Sequence, residues 1–547
     1  MGKYLDALSF YEKSLKIFQK TLPLNHPNVA TSYGNIGNVY NSIGEYSKAL
    51  SFYERTLEIK RKTLPSNHPD LATSYNNIGL VYNTLGEYSK TLLFYEKALE
   101  IYQKTLPSNH PDLATSYNNI GGVYGKMGEY SKALSFYQKA LETEQKSLSL
   151  NHPDLATSYN NIGSMYNSMG EYSKALSFFE KALEIFQKTL PSNHPFLATS
   201  YNSVGTVYNS MGEYSKALSF FEKSLEIYQK TLPSNHPFLA TSYNNIGSMY
   251  ESRGEYLKAL SLYEKDLEIK QKSVPSNHPN LATSYNNIGG LYYAMKDYSK
   301  SLSFYEKSLE IYQKTLPSNH PLLANSYSNI GSVYNNLGEY SKALSSHEKS
   351  LEIYRKALPS NHHSLATSYN NIGSLYYAMK DYSKSLSFFE KALEIYQKAL
   401  PSNHPLLATS YNNIGLVYSD IGDCPKALSF CEKALEIWQK TLPSNHPNLA
   451  TSYGNIGNVY NSMGEYSKAL SFYERTLEIR EKTLPSNHPD LATSYNNTGG
   501  VYYDRKDYSK ALSYYERALD IWQRVLPPTH PHIKIAKDSI EITKKKL

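Results

Sequence analysis

The sequence predicts an all-α solenoid built from stacked antiparallel helix hairpins. Three observations carry that expectation. A 42-residue text returns twelve times without a break from Asn28 to Pro531, and a fixed period of this size marks units that bury a core only by stacking on their neighbours. Both halves of each unit place apolar residues at alternating steps of three and four, the signature of one helix face. No stretch shows the strict apolar–polar alternation of a half-buried strand.

The unit from Asp70 to Pro111 serves as the type. In its first half Leu71, Tyr75, Ile78, Tyr82 and Leu85 share one face of an amphipathic helix. Pro69 suits the first helical position, with His68 or Asn67 available as a cap. Gly86 stands where a left-handed residue would close that helix. Nine units have Gly there; the other three have Lys296, Lys380 and Lys506, each followed by Asp and Tyr, so those turns must hold a side chain where Gly fits better. The second helix is expected over about Glu87 to Leu106, with Tyr88, Leu92, Tyr95, Leu99, Tyr102 and Leu106 inward and an i,i+4 pair, Glu100 and Lys104, on the wet side. Pro107 and the polar run Ser108-Asn109-His110 end it.

Three segments follow from this register. Residues 1–27 align with a second half-unit whose first half is missing, the pattern expected of a truncated chain, with a true short start as the alternative. Residues 28–531 hold the twelve units, and residues 532–547 read as a capping helix with a basic tail.

The totals exclude several classes. Net charge is +7 from 56 basic and 49 acidic residues, with Lys and Glu mixed along the same helices, whereas a nucleic-acid binder concentrates basic charge on one stripe. Two cysteines are too few for a disulfide framework. No apolar run approaches the ~20 residues of a membrane span, and the opening MGKYLDALSF lacks a signal-peptide core. The expectation is a cytoplasmic protein that binds neither nucleic acid nor membrane.

With these residues laid out, the unit resembles the tetratricopeptide repeat. Tyr75, Ile78, Gly79 and Tyr82 fit its first-helix order of large, aliphatic, small and aromatic, and Tyr95 and Ala98 fit its second-helix large and small positions. Thr91 departs where the motif prefers Ala, although most units have Ala there, as at Ala133 and Ala175. The 42-residue length, the ALEI stretch, the following His-Pro and the NNIG stretch resemble the kinesin light chain variety. The resemblance implies a right-handed superhelical solenoid and a cargo-binding groove for peptide partners, motor cargo among them. That family's heptad region, which pairs with the motor heavy chain, has no counterpart in the sequence, so the resemblance does not extend to heavy-chain pairing.

Little in the sequence suggests catalysis, a metal or a cofactor. Thirteen of sixteen histidines recur at the 42-residue pitch, from His26 to His530. Zinc needs nitrogens at about 2.0–2.1 Å, while packed helices lie ~8–10 Å apart, so equivalent histidines are expected to cap helices. Cys424 and Cys431 replace the aromatic pair of other units and are expected to face the core of the second helix together. No phosphate-binding loop or catalytic triad stands apart from the repeated scaffold.

The remaining candidates are asparagines. Eleven units carry one immediately before the core aliphatic: Asn35, Asn77, Asn119, Asn161, Asn245, Asn287, Asn329, Asn371, Asn413, Asn455 and Asn497, with Ser203 the exception. A step of 100° turns this side chain away from the core contact, and the resemblance places first helices on the concave side. An amide both donates and accepts, so such a ladder can pair with the backbone of an extended peptide; bonding between neighbouring units is the competing use. Beside it lie variable positions, among them Leu80, Tyr293, Tyr377 and Tyr503, which predict a polar groove, nearly uncharged and punctuated by tyrosines. The function expected is a non-catalytic adaptor for extended peptides. The alternative is the regulatory or targeting arm of a larger enzyme whose catalytic domain lies outside this chain.

Overall fold

The structure, a computed structural model, describes residues 2–526 and 530–547. Among the described residues there are 26 helices and no strand. Helix α1 (Gly2–Thr21) comes first. Twelve hairpins follow, from α2 (Pro27–Ile43) with α3 (Tyr46–Thr63) to α24 (Pro489–Asp504) with α25 (Tyr508–Val525), and then α26 (Pro531–Lys544). The last linker, 527–529, lies outside the described residues.

One hairpin shows why the text folds this way. Helix α4 (Pro69–Thr84) starts at Pro69, and the His68 ring accepts the Asp70 N–H at Nδ1, 3.1 Å away. All thirteen periodic histidines cap the following helix in this manner. The chain then turns through Gly86 at φ +72°, with the Glu87 N–H bonded back to Tyr82 O at 2.9 Å, so the orphan carbonyls of the helix end are satisfied. Lys296, Lys380 and Lys506 adopt the same left-handed backbone at φ 61°, 60° and 66°. In these three turns the next residue is Asp, whose carboxylate accepts a backbone N–H of the second helix, as Asp297 does from Lys300; the Glu of eight glycine turns makes no such bond.

Helix α5 (Tyr88–Thr105) packs back on α4. Leu71, Tyr75 and Ile78 face Tyr95, Ala98, Leu99 and Tyr102, all buried. Fully burying one such aliphatic contributes about 1.5–3 kcal/mol. The contact is close: a Cβ on Gly79 would sit 2.6 Å from the Tyr95 ring, which explains the small residue at that point. The Glu100–Lys104 pair forms at 2.6 Å on the outside but is well exposed, so solvent screening leaves it little weight in the fold.

The winding is tight. His320, which caps α16 (Pro321–Asn336), places Nε2 3.0 Å from the carbonyl of Thr84, the last residue of α4, 236 residues earlier. His362 meets Lys126 O and His404 meets Ser168 O at the same separation, 3.0 and 3.1 Å away. The first helices of the first six units therefore abut those six units later, and successive superhelical turns touch along a continuous seam. Apolar packing reinforces it: Leu85 and Tyr88 share one core cluster with Leu316 and Leu323, and Met169 joins another with Leu400 and Leu407.

Candidate functional site

First helices form the inner layer of the solenoid, where consecutive copies reach each other through their side chains. Asn287 Nδ2 donates to Asn244 Oδ1 at 2.6 Å, and Asn329 to Asn286 and Asn455 to Asn412 each at 2.8 Å. Asn161 donates to Asn118 at 3.4 Å, and Asn371 to Ser328 Oγ at 2.7 Å. Each bond joins a ladder asparagine to the residue before the equivalent asparagine of the preceding unit. All eleven ladder asparagines are half-buried. The other six, Asn35, Asn77, Asn119, Asn245, Asn413 and Asn497, make no such inter-unit bond among the described residues. The amides of these eleven units thus lie on the inner face, some held by a neighbour and some not.

A second ladder lies six residues, nearly two turns, further along the same helices. Asn336 Nδ2 donates to the Tyr293 hydroxyl at 2.7 Å, and the Tyr377 hydroxyl donates to Asp420 at 2.6 Å. Lys126 Nζ donates to Asn83 Oδ1 at 3.0 Å, and Asn461 to Asp504 at 3.4 Å. Sequence reasoning picked out the tyrosines and missed their partners. The signal was present: wherever Tyr replaces the usual Asn at 293 and 377, the unit after it carries Asn336 or Asp420 one residue further along. Lys126, Asp420 and Asp504 also put more charge on this face than a nearly uncharged groove.

Leu80 is exposed at 44%. Tyr503 lies half-buried with its ring 5.4 Å from Tyr508 in a T-shaped pair, and Tyr293 is similarly placed on Tyr298 at 5.8 Å. The structure therefore brings the asparagines and tyrosines onto one inner face, with the tyrosines bound into contacts of their own.

The remaining chemistry is structural. Cys431 is buried, and burial pushes its thiol up to about 12. Cys424 is only half-buried, because the first residue of a second helix sits at the hairpin turn, so the two thiols do not share one buried face. His347 replaces the core tyrosine of its hairpin, and burial takes its ring down to about 4.

Comparison with known proteins follows this geometry. The tetratricopeptide repeat pattern matches residues 1–62, 70–146, 112–188, 154–230, 196–272, 238–314, 322–398, 364–440 and 406–482, and a second pattern of the same description matches 491–532. The chain belongs to the tetratricopeptide repeat family. No curated protein matches it. Among solved structures, this tetratricopeptide repeat chain is similar to a Podosopora anserina protein described as a kinesin light chain with nearly identical TPR-like repeats, at 26% identity, covering 38% of this chain and 97% of that one with a TM-score of 0.32. It is similar to BtubC (BKLC) from P. vanneervenii at 23% identity, covering 42% of this chain and 91% of that one, with a TM-score of 0.36. The Cut9–Hcn1 hetero-tetramer of APC/C aligns over 99% of this chain and 93% of that one at 17% identity and a TM-score of 0.43. No helix among the described residues is long and apolar enough to cross a membrane.

Proposed function

We propose that this tetratricopeptide repeat chain is a non-catalytic adaptor whose inner face holds extended peptide segments of partner proteins, in the manner of a kinesin-light-chain cargo groove. The observation that carries the reading is the register of the asparagine ladder: a half-buried amide in eleven of the twelve units on the inner layer, at a 42-residue pitch interrupted only at Ser203. An extended chain offers backbone N–H and C=O groups all along its length, and an amide can answer either. Pairing with the backbone gives affinity that reads little sequence, and Leu80, Tyr293, Tyr377 and Tyr503 supply the side-chain contacts that choose among segments. Two free cysteines suit a reducing, cytoplasmic setting.

The test uses a displayed library of unstructured peptides selected on the whole chain. Selected peptides should bind the triple variant Asn119→Ala, Asn161→Ala, Asn245→Ala at least tenfold more weakly, with helicity and melting nearly unchanged. Unchanged affinity in a folded triple variant would show that the ladder serves the stack alone.

A further inference from the structure

The seam between superhelical turns has two sides, and each side continues past the point where the chain covers it. One side is the row of hairpin turns and the other is the row of linkers. Along the seam both are occupied. A Cβ built on Gly86 would lie 2.8 Å from Pro321, and one on Gly212 would lie 3.1 Å from His446. On Gly338, Gly422 and Gly464 the same atom would meet nothing within 4 Å. The residue just before the turn tells the same story. Leu85, Met127, Met169 and Met211 are half-buried in the seam, whereas Leu337, Met379, Ile421 and Met463 are 44–50% exposed.

The linker row shows the converse. His320, His362 and His404 are buried against the preceding turn, while their equivalents His68, His110 and His152 are only half-buried. Leu316, Leu358, Leu400 and Leu442 are buried, whereas Leu64, Leu106, Leu190 and Leu232 are half-buried, and Pro65, Pro107 and Pro191 are exposed where Pro275 is buried.

The bare rows carry the same text as the occupied ones. Leu337-Gly338-Glu339-Tyr340 repeats Leu85-Gly86-Glu87-Tyr88, and Leu64 to Pro69 repeats Leu316 to Pro321 residue for residue. In the seam that pair of texts makes an apolar contact, a histidine bond to a helix-end carbonyl, and a bond from Asn319 Nδ2 to Glu87 Oε1 at 3.2 Å. We propose that the bare turn row of one molecule docks the bare linker row of a second copy of this chain, repeating the seam between molecules. The interface is heterologous, so each docked pair still presents one free row of each kind, and assembly proceeds end to end as a continued superhelix rather than closing as a dimer.

Sedimentation velocity of the full chain over about 1–100 μM tests this. Wild type should shift with concentration from the 62.0 kDa monomer to dimers and longer species. A turn-row variant (Leu337→Glu, Met379→Glu, Ile421→Glu, Met463→Glu) and a linker-row variant (Pro65→Asp, Pro107→Asp, Pro191→Asp) should each stay monomeric with wild-type helicity. Mixed together, the two should form dimers and nothing larger, because each retains one intact row. A monomeric wild type at the highest concentration, assembly that survives in a folded turn-row variant, or a mixture that stays monomeric would overturn the proposal.

Discussion

His320 donates from Nε2 to the carbonyl of Thr84 while its Nδ1 accepts the N–H of Leu322. Both bonds are made at once only by the neutral ring with its proton on Nε2. The same residue type that starts a helix in every unit therefore also locks one superhelical turn to the next.

Acid should release that lock. Burial lowers the rings of His278, His320, His362, His404 and His446 below the ordinary value of 6.5, His446 to about 4. At His320 the Lys126 ammonium opposes protonation further. A histidine held neutral by folding contributes stability that is full above pH 6.5 and is lost as pH falls towards 4. Small-angle scattering should show the molecule lengthening across that window while far-ultraviolet helicity stays constant.

Lys270 and Asp266 offer a sharper mutational test. They replace the Tyr102 and Ala98 of the type unit, and Nζ lies 2.8 Å from Oδ1, with Asp266 buried and also accepting the Ser284 hydroxyl. Lys270→Met leaves that carboxylate without its cation and should cost about 3–5 kcal/mol. Restoring the repeated text with Asp266→Ala and Lys270→Tyr together should return stability to within about 1 kcal/mol of wild type or above it. Hydrogen exchange over residues 256–294 reads the effect locally.

Glu144 occupies the same core position in its hairpin without a cation. Burial pushes its carboxyl up to about 7, and α7 (Tyr130–Gln145) is two residues shorter than α5. The folded chain holds a proton there that the unfolded chain releases near 4.5, so stability falls as pH rises from about 4.5 to 7. Glu144→Tyr should raise stability at pH 8 by about 1–2 kcal/mol, and the part due to charge burial should vanish below pH 4.5 in denaturant titrations.

Lys380→Gly tests the left-handed turns. A non-glycine residue at φ 60° costs about 1 kcal/mol, and glycine recovers part of it against its looser unfolded chain. Melting should rise by an amount equivalent to about 0.5 kcal/mol.

Within a unit nearly everything was legible, because helix faces, caps and the turn glycine each leave a local pattern repeated twelve times. The split between His68 and Asn67 as cap needed coordinates, since both can accept an N–H. The seam was not legible. It depends on the winding angle, which accumulates small rotations over six units, and no single unit encodes it. One trace existed: the residue before eight of the nine turn glycines is apolar, as at Met127, although it sits at the exposed end of the hairpin. Inter-unit bonding of the asparagines was one of two uses the sequence left open, but which of them bond was not legible, since each bonded pair is 43 residues apart.

The six-unit closure is the contact that end-to-end docking would repeat, and electron-spin distance measurement tests it most directly. Spin labels at Ser89→Cys and Ser318→Cys, in a chain with Cys424→Tyr and Cys431→Tyr, would flank the Asn319–Glu87 bond. One or two residues on each side add at most about 7 Å each, so a single narrow population within about 30 Å is predicted at neutral pH. A broad population centred beyond about 40 Å, the distance expected when turns spaced by units at ~8–10 Å do not touch, would contradict the closed superhelix.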